Sequence, residues 1–207
     1  MQNNSGRPKD LEKRAKILQA AKSIFLKIGY HATNMNQIAK DAGVTKLTVY
    51  NHFQDKANLF ICAIEESCEE SICAKEIVLT AESNFEQALY VMCHRALRII
   101  YLPEALKLDR VLFELAAEQS PLTQQFFDAS HTRMSNVWCD FFRQAIRLNF
   151  IKADDPLKQT EMIVSLMLGL RHYRVLLGLD TVPTAIEIDQ MIQQAVELFL
   201  LKYQTKI

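Results

Sequence analysis

Apolar residues recur at intervals of three and four along most of this 207-residue chain, the spacing that lines one face of an α-helix. Runs that alternate apolar and polar residues between turn residues, which are typical of β-strands, do not occur in the sequence, and glycine is scarce. Several later helices have a proline near their predicted start, namely Pro103, Pro121, Pro156 and Pro183. The pattern therefore predicts an all-α fold of about nine helices.

Residues 34–53, NMNQIAKDAGVTKLTVYNHF, predict two short helices joined by a tight turn. Asn34 is placed to cap the first helix, and Gln37, three residues on, would complete a capping box. Gly43 would end this helix, because glycine takes without strain the left-handed backbone conformation that often follows a helix. Thr45 would cap the second helix.

The second of these helices has one apolar side and one polar side. Val49 and Phe53 lie four residues apart and form the predicted buried ridge. The other face carries a cation, a leucine, a phenol and an amide, from Lys46, Leu47, Tyr50 and Asn51. This pattern matches a helix-turn-helix, whose second helix enters the DNA major groove. Turn-joined helix pairs also occur in proteins that do not bind DNA, so the spacing alone leaves both interpretations open.

The residues around this helix pair resemble the DNA-binding domain of the TetR family of bacterial repressors. The resemblance is carried by Thr33, IAKDAGVT at 38–45, TVYNHF at 48–53, Asp55, Lys56, Leu59 and Phe60. Two positions depart from the family pattern. Leu47 stands where a glycine or another small or polar residue is frequent, and Ala57 stands where an acidic residue is usual. The first departure leaves the operator sequence open, because the resemblance makes position 47 face the bases.

The resemblance implies a double-stranded DNA operator as partner and gives roles to individual residues. Lys46 and Leu47 would contact bases, the leucine through a thymine methyl, with Asn51 as a further base contact. The phosphate contacts would come from Thr33, Thr48, Tyr50, His52 and Lys56. The chain would thus have a DNA-binding domain over residues 10–70 and a larger effector-binding and dimerisation domain over residues 71–207.

The helices that flank the motif complete the predicted DNA-binding domain. The first helix would span residues 10–28, with an inner face of Leu11, Ala15, Leu18, Ala21, Phe25 and Ile28. A long helix over residues 55–78 would link the two domains. Past a polar break at residues 80–83, Ser83 and Glu86 have the spacing of a capping box that would open the next helix.

The last two predicted helices, residues 156–177 and 184–203, have wide apolar faces, and Ser165 and Gly169 would let another helix approach closely. A monomer has few ways to cover so much apolar surface. The resemblance implies that these helices form a four-helix bundle across a two-fold axis, which would present two recognition helices to a palindrome. Core packing without dimerisation is the alternative.

The middle of the chain is rich in aromatic and sulfur side chains. An effector site would draw on Met92, His94, Tyr101, Phe113, Phe127, Met134, Trp138 and Phe141. Such stripes also form solid cores, and the residues alone do not distinguish the two. The resemblance implies that a cavity exists.

Charge is divided unequally along a chain of zero net charge. Residues 1–60 carry ten Lys/Arg and four Asp/Glu, a balance of +6, and the remainder carries fourteen and twenty, a balance of −6. A basic N-terminal part on an acidic remainder indicates polyanion binding at the N-terminus only.

Other function classes find little support in the sequence. It contains no nucleophile elbow, P-loop, HExxH or GxGxxG motif, and no cluster of metal ligands, so no cofactor or metal is predicted. The N-terminus lacks a secretory signal and the apolar runs are too short to cross a bilayer, so we expect a cytoplasmic protein. The five cysteines are odd in number and lack a CxxC pair, which disfavours a disulfide framework.

The sequence therefore predicts a homodimeric transcriptional repressor that a small apolar or aromatic effector releases from a palindromic operator. Two alternatives stay open: a thiol-based redox regulator with the same DNA-binding domain, and a helical-bundle enzyme. The effector, the operator sequence, the regulated genes and the direction of regulation are not readable from the sequence.

Overall fold

The computed structural model describes the backbone of residues 6–72 and 77–205, and the side chains of residues 10–66 and 77–205. The helices in these ranges are α1 Gly6–Ala32, α2 Met35–Asp41, α3 Lys46–Phe53, α4 Lys56–Ile72, α5 Phe85–Ile100, α6 Pro103–Ala117, α7 Leu122–Phe127, α8 Arg133–Arg147, α9 Pro156–Leu176 and α10 Ala185–Tyr203. A π-helical turn, Asp128–Thr132, joins α7 to α8 into one stretch, so the described chain has nine continuous helices. The described part contains no β-strand beyond an isolated bridge, and the predicted all-α fold is confirmed.

Packing divides the chain into two compact units. The first, called the head, consists of α1 to α4 together with Arg110–Ser130. The second, called the body, contains the described residues 77–109 and 131–205. The second half of α6 and all of α7 therefore pack with the N-terminal helices. The domain boundary at residue 70, which was drawn by function, stays a prediction.

The buried face of α1 differs in part from the predicted one. Leu18, Ala21 and Phe25 are buried as predicted, and Ile17 and Ile24 join them. Three residues predicted to face inward are exposed, namely Leu11, Ala15 and Ile28. Helical periodicity shows in which direction a side chain points, but not where the neighbouring helices begin and end. The outer parts of the α1 stripe therefore remain in solvent.

The core of the head includes an aromatic cluster that draws α7 onto the N-terminal helices. Phe60 of α4 lies edge-on to Phe25 of α1, with ring centroids 4.6 Å apart, and to Phe126 of α7, at 4.5 Å. Tyr30 of α1 is 5.4 Å from Phe126. Aromatic pairs in this geometry add about 0.5–1.5 kcal/mol each beyond the area they bury. Phe126 is thus an integral part of the head core.

The predicted linking helix ends earlier than residue 78. α4 is helical through Ile72, residues 73–76 lie outside the described part, and residues 77–80 are not helical. The N–H of Leu79 donates to Oε1 of Gln144 on α8, at 3.0 Å, in place of a helical carbonyl. The prediction of a helix to residue 78 was wrong, since Leu79 makes this tertiary hydrogen bond in place of a helical one.

The cap of α5 is one residue further along than predicted. Asn84 caps α5, with its Oδ1 accepting from the N–H of Gln87 at 3.0 Å. The predicted box of Ser83 and Glu86 does not form, because Oγ of Ser83 accepts from the N–H of Thr80 at 2.9 Å and closes the preceding turn.

The core of the body is centred on α8. Trp138, Phe141 and Phe142 are almost fully buried, and Phe142 stacks on Phe199 of α10 with centroids 5.1 Å apart. The last two helices follow the predicted bounds closely, and Thr184 caps α10 through a complete capping box with Glu187. No helix in the described ranges is long and apolar enough to cross a membrane.

Candidate nucleic-acid interface

Local capping sets the ends of the two helices of the motif. Oδ1 of Asn34 accepts from the N–H of Asn36 at 2.8 Å and begins α2. Gly43 has a φ of +66°, a conformation that strains residues with a Cβ, and it allows the chain to leave α2 sharply. Oγ1 of Thr45 accepts from the N–H of Thr48 at 3.2 Å and begins α3. The predicted caps at Asn34 and Thr45 and the end at Gly43 are confirmed.

Only half of the capping box predicted for α2 forms. Nε2 of Gln37 donates to Oδ1 of Asp41 at 2.7 Å, one turn ahead, and does not return to Asn34. The prediction for Gln37 was wrong because its side chain turns towards the Asp41 carboxylate, away from the Asn34 N–H from which its oxygen would have to accept.

The buried ridge of α3 faces the core of the head, and α1 contacts the C-terminal end of α3. Val49 and Phe53 are 0% and 1% exposed, as their spacing predicted. From α1, the guanidinium of Arg14 lies over the Phe53 ring at 5.4 Å, and Oδ1 of Asp10 is 3.2 Å from Nε2 of His52. These contacts of Arg14 and Asp10 with α3 were not predicted from the sequence. On the sequence the two residues are indistinguishable from the solvated polar face of α1.

The opposite face of α3 is open to solvent. Leu47 is 69% exposed, Tyr50 is 38% exposed, and Lys46 and Asn51 are also exposed. Nζ of Lys46 lies 5.6 Å from the centre of the Tyr50 ring, so the cation and the phenol share one patch. An exposed leucine is suited to a thymine methyl, an amide to an adenine edge, and lysine and tyrosine to phosphates or bases. The predicted separation of the two faces of α3 is confirmed.

Thr48 and His52 lie on the flanks of this face, and both are half-buried. Oγ1 of Thr48 is 2.8 Å from Oγ1 of Thr45, so the two hydroxyls share one hydrogen bond. His52 contacts Asp10, as described above. Their predicted phosphate contacts stay predictions.

Thr33 and Lys56, two further predicted phosphate contacts, are engaged inside the head. The Thr33 hydroxyl is buried and donates to the carbonyl of Gly29 at 2.6 Å. Nζ of Lys56 donates to the carbonyls of Tyr30, His31 and Thr33, at 3.0, 3.3 and 3.2 Å. Burial lowers the pKa of the Lys56 ammonium. In this structure Lys56 therefore closes the C-terminal end of α1, and a phosphate would compete with carbonyls for it.

The eight predicted effector residues fall in both units. The body contains six of them, of which Met92, Tyr101, Trp138 and Phe141 are buried and His94 and Met134 are partly buried. Phe113 and Phe127 belong to the head and are 50% and 48% exposed. Trp138 and Phe141 pack edge to face within the aromatic core. Membership of an effector site stays a prediction for all eight.

The described residues give little support to thiol chemistry or to a metal site. Burial raises the pKa of the Cys93 thiol to about 12 and also raises the pKa of the Cys62 thiol. Thiols shifted in this direction are poor nucleophiles at neutral pH. Within the described residues, no group of three or more His, Cys, Asp or Glu side chains is arranged to hold a metal ion.

Comparison with protein families covers most of the chain. Residues 17–62 match the model of the bacterial regulatory proteins of the tetR family. Residues 87–205 match the model of the AefR-like transcriptional repressor C-terminal domain.

Individual relatives match over parts of the chain. The chain is 33% identical over 82 residues to the HTH-type transcriptional activator FasR of Mycolicibacterium smegmatis, covering 40% of this chain and 37% of FasR. It is 48% identical over 54 residues to the HTH-type transcriptional regulator QacR of Staphylococcus aureus, covering 25% of this chain and 29% of QacR. The chain thus spans less than half the length of each of these relatives.

A likeness to solved structures extends over nearly the whole chain. The structure of the flavonoid-responsive regulator FrrA superimposes with a TM-score of 0.78 at 26% identity. The superposition covers 94% of this chain and 98% of FrrA.

Proposed function

Because the chain belongs to the TetR family of bacterial regulatory proteins, we propose that it is a homodimeric repressor released from a palindromic operator by a small apolar or aromatic effector. That it is a DNA-binding transcriptional regulator follows from the family itself. The direction of regulation, the operator symmetry and the effector are the parts that we propose. The proposal assigns no catalytic step to the protein and places it in the cytoplasm.

The observation that supports DNA recognition through α3 is the division of this helix into a buried ridge and an exposed polar face. Packing in the core of the head does not require Leu47 to be exposed beside Lys46 and Tyr50. Major-groove recognition requires such a face, with base-contacting side chains near the helix N-terminus and phosphate contacts on its flanks.

The DNA-binding residues are tested by gel shift on the promoter region next to the gene. We expect Lys46→Ala and Tyr50→Ala each to weaken binding by roughly tenfold or more, since single contacts are worth about 1–3 kcal/mol. Lys40→Ala is the matched control, because Lys40 is exposed on α2, outside the recognition face. Wild-type affinity in both recognition variants would refute the role of α3.

The proposed dimer rests on the apolar surface of the last two helices. Side chains on α9 and α10, and just past α9, that are 49–75% exposed are Leu170, Tyr173, Leu177, Ile186, Leu198 and Leu201. Gly169 has a φ of +48°, and a Cβ built there would meet no atom of its own chain within 4 Å. A second copy could approach closely at this point. Exposed apolar surface of this kind is typical of protein interfaces.

Sedimentation tests the dimer. We expect Leu170→Glu and Ile186→Glu to shift the protein from dimer to monomer, because each would place a charge in the apolar interface. Leu11→Glu is the control, since Leu11 is similarly exposed but lies on α1. Dimers of wild-type strength in both α9–α10 variants would show that another surface is used.

The proposed effector class is aromatic. FrrA, whose fold and length match this chain, is named as flavonoid-responsive, and the body of this chain carries a core rich in aromatic side chains. A flavonoid panel is therefore the first to test. An effector should raise the melting temperature of the protein and lower its affinity for the operator, because it binds the folded state that has released DNA. A panel that contains compounds with only one of these effects would not support release by that ligand class.

The redox alternative finds no support in the described thiols. Burial disfavours the thiolate at both Cys62 and Cys93. We therefore propose effector binding and not cysteine oxidation as the signal.

A further inference from the structure

Four polar side chains from four separate elements meet in the body. Tyr101 follows α5, Asp109 lies on α6, His131 lies in the π-helical turn, and His172 lies on α9. The two carboxylate oxygens of Asp109 are 3.9 Å from Nε2 of His131 and 4.0 Å from Nε2 of His172. The rings of Tyr101 and His172 pack edge to face with centroids 5.5 Å apart. We call these residues the Asp109 cluster.

Two polar atoms of the Asp109 cluster are buried without a hydrogen-bond partner in the structure. They are the hydroxyl oxygen of Tyr101, a residue only 7% exposed, and Nδ1 of His172, whose side chain is 14% exposed. A buried polar group left unpaired costs about 1–3 kcal/mol. Such groups are few in native structures, and each calls for a partner that the protein's own side chains do not supply.

The backbone around the cluster is irregular at two places. His131 lies in a π-helical turn, a form that is frequent at functional sites. His172 follows Gly169, whose positive φ interrupts α9 three residues earlier. His131 and His172 thus both lie at or near a helix distortion. Helices that served only for packing would not need these distortions.

Apolar side chains surround the polar ones on each helix. Leu97 precedes Tyr101 by four residues and Leu106 precedes Asp109 by three, so each lies on the same helix face as its polar neighbour. Val175 and Leu176 stand in the same relation to His172, and all four are buried. A ligand here would need an apolar body and a single polar end.

The charges of the side chains in and beside the cluster determine which polar group of a ligand would fit. Burial raises the pKa of Tyr101 and of Asp109 and lowers the pKa of His172, so burial favours the neutral form of all three. The neighbouring cation Arg171 is already paired with Glu187 at 3.1 Å and lies 3.8 Å from Asp180. Asp109 faces the two imidazoles and Arg171 faces two carboxylates, so an ionised ligand would compete with pairings that are already made.

From this geometry we infer that the Asp109 cluster binds the hydroxyl group of a neutral aromatic ligand. The ligand hydroxyl accepts a hydrogen bond from Tyr101 and donates one to Nδ1 of His172, and the ring of the ligand lies among the apolar side chains. This inference rests on the proposed effector function and names the polar anchors of that site. Three of its residues, Asp109, His131 and His172, were not among the predicted effector residues.

Two residues of the Asp109 cluster are connected to the head through the chain itself. Asp109 and His131 are the residues of the body that immediately flank Arg110–Ser130 in sequence. That segment packs with the head through Phe126, and its Glu118 is 3.1 Å from His31 of α1. Asp109 and His131 thus stand at the two points where the chain passes between the body and this segment.

A matched series of naphthalenes tests the ligand class by calorimetry on the protein without DNA. The probes are 2-naphthol, 2-methylnaphthalene, 2-naphthoate and 2-naphthylmethylammonium, which share one body and differ in the polar end. We expect 2-naphthol to bind roughly tenfold more tightly than 2-methylnaphthalene, because two neutral hydrogen bonds are gained. The two charged probes should bind more weakly than 2-naphthol. Equal or tighter binding of any of the other three overturns the inference.

Two variants assign the binding to the cluster. Tyr101→Phe and His172→Phe should each reduce 2-naphthol affinity by roughly threefold to tenfold and leave that of 2-methylnaphthalene unchanged. Tyr101→Phe should not lower the melting temperature of the free protein, since it removes a hydroxyl that has no partner. Tyr90→Phe is the control on α5, because the Tyr90 hydroxyl donates to Asp189 at 2.7 Å at the surface.

The outcomes separate this inference from the proposed function. Wild-type 2-naphthol affinity in Tyr101→Phe and His172→Phe overturns the inference, whereas operator binding and its release by another ligand would still support the proposed function. Loss of 2-naphthol affinity together with a lower melting temperature in Tyr101→Phe would show a structural role for this hydroxyl and also overturns the inference. Absence of operator binding by the wild type would instead refute the repressor itself.

Discussion

The exposed face of α3 and the Asp109 cluster of the body both hold polar side chains, but they are built in opposite ways. The α3 face takes its residues from one helix over six positions, in solvent. The Asp109 cluster takes one residue from each of four places spread over positions 101–172, and all but His131 are largely away from solvent. A surface that binds DNA needs exposed side chains at regular spacing along one helix. A site for a small molecule needs side chains from several elements to meet at one point. The α3 face therefore appears as a local pattern in the sequence, whereas the Asp109 cluster does not.

Truncation of one residue on each side of α3 has the largest expected effect and tests the division of this helix into a buried and an exposed face. Phe53→Ala should lower the free energy of unfolding of the head by about 3–5 kcal/mol, because it leaves a cavity beneath a residue that is 1% exposed. Leu47→Ala should change stability by about 0.5 kcal/mol or less and still weaken operator binding. Thermal melting followed by circular dichroism, with a gel shift on the same samples, measures both. A Leu47 variant as unstable as the Phe53 variant would contradict the division of α3.

Two lysines of the head sharpen the difference between a contact with DNA and a contact inside the fold. Lys56→Met should lower the free energy of unfolding by about 1–3 kcal/mol, because three carbonyls at the end of α1 lose their donor. Lys46→Met should leave stability unchanged and reduce the slope of log affinity against log salt by about 1.

The measurements for the two lysines are thermal melts and operator titrations at several salt concentrations. A stable Lys56→Met protein with a reduced salt slope would show that Lys56 contacts phosphate after all, as the family resemblance implied.

The Asp109 cluster predicts a pH dependence of stability. Burial lowers the pKa of His172 below its ordinary value of 6.5, so the unfolded state takes up a proton before the folded state as pH falls. Stability should therefore decrease as pH falls through 6.5 towards the folded pKa. The raised pKa of Asp109 has the opposite sign, since its folded state binds the proton first, in a window that begins at 3.8 and extends upwards.

Melting temperatures of wild type and His172→Gln, measured above and below pH 6.5, isolate the histidine contribution. The variant should lose less stability on acidification than the wild type. A steeper loss in the variant would mean that the protonated imidazole is the form that the fold stabilises.

The smallest expected effect is on the thiols. With a pKa raised to about 12 by burial, Cys93 should remain unmodified by iodoacetamide in the folded protein and react only after unfolding. Peptide mass spectrometry of samples quenched before and after denaturation shows this. Labelling of native Cys93 at the rate of a free thiol would reopen the redox alternative.

The sequence by itself determined the helix-turn-helix and the division of α3 into two faces. Caps, turns and helical periodicity act within a few residues, so local spacing alone assigned Asn34, Gly43 and Thr45 correctly. The same reasoning failed where other partners competed. Ser83 was predicted as a cap but closes a turn with Thr80, and Leu79, next to the predicted end of the linking helix, donates to Gln144.

Only the tertiary structure decided what the engaged and buried polar residues do. The sequence predicts Lys56 as a phosphate ligand, and its carbonyl partners, 23 to 26 positions away, are brought to it only by the fold. Asp109 and His172 are 63 residues apart by number and have no periodic relation, yet the packing of the body brings them to 4.0 Å. Local spacing determines which way a side chain points, and long-range packing determines what it meets.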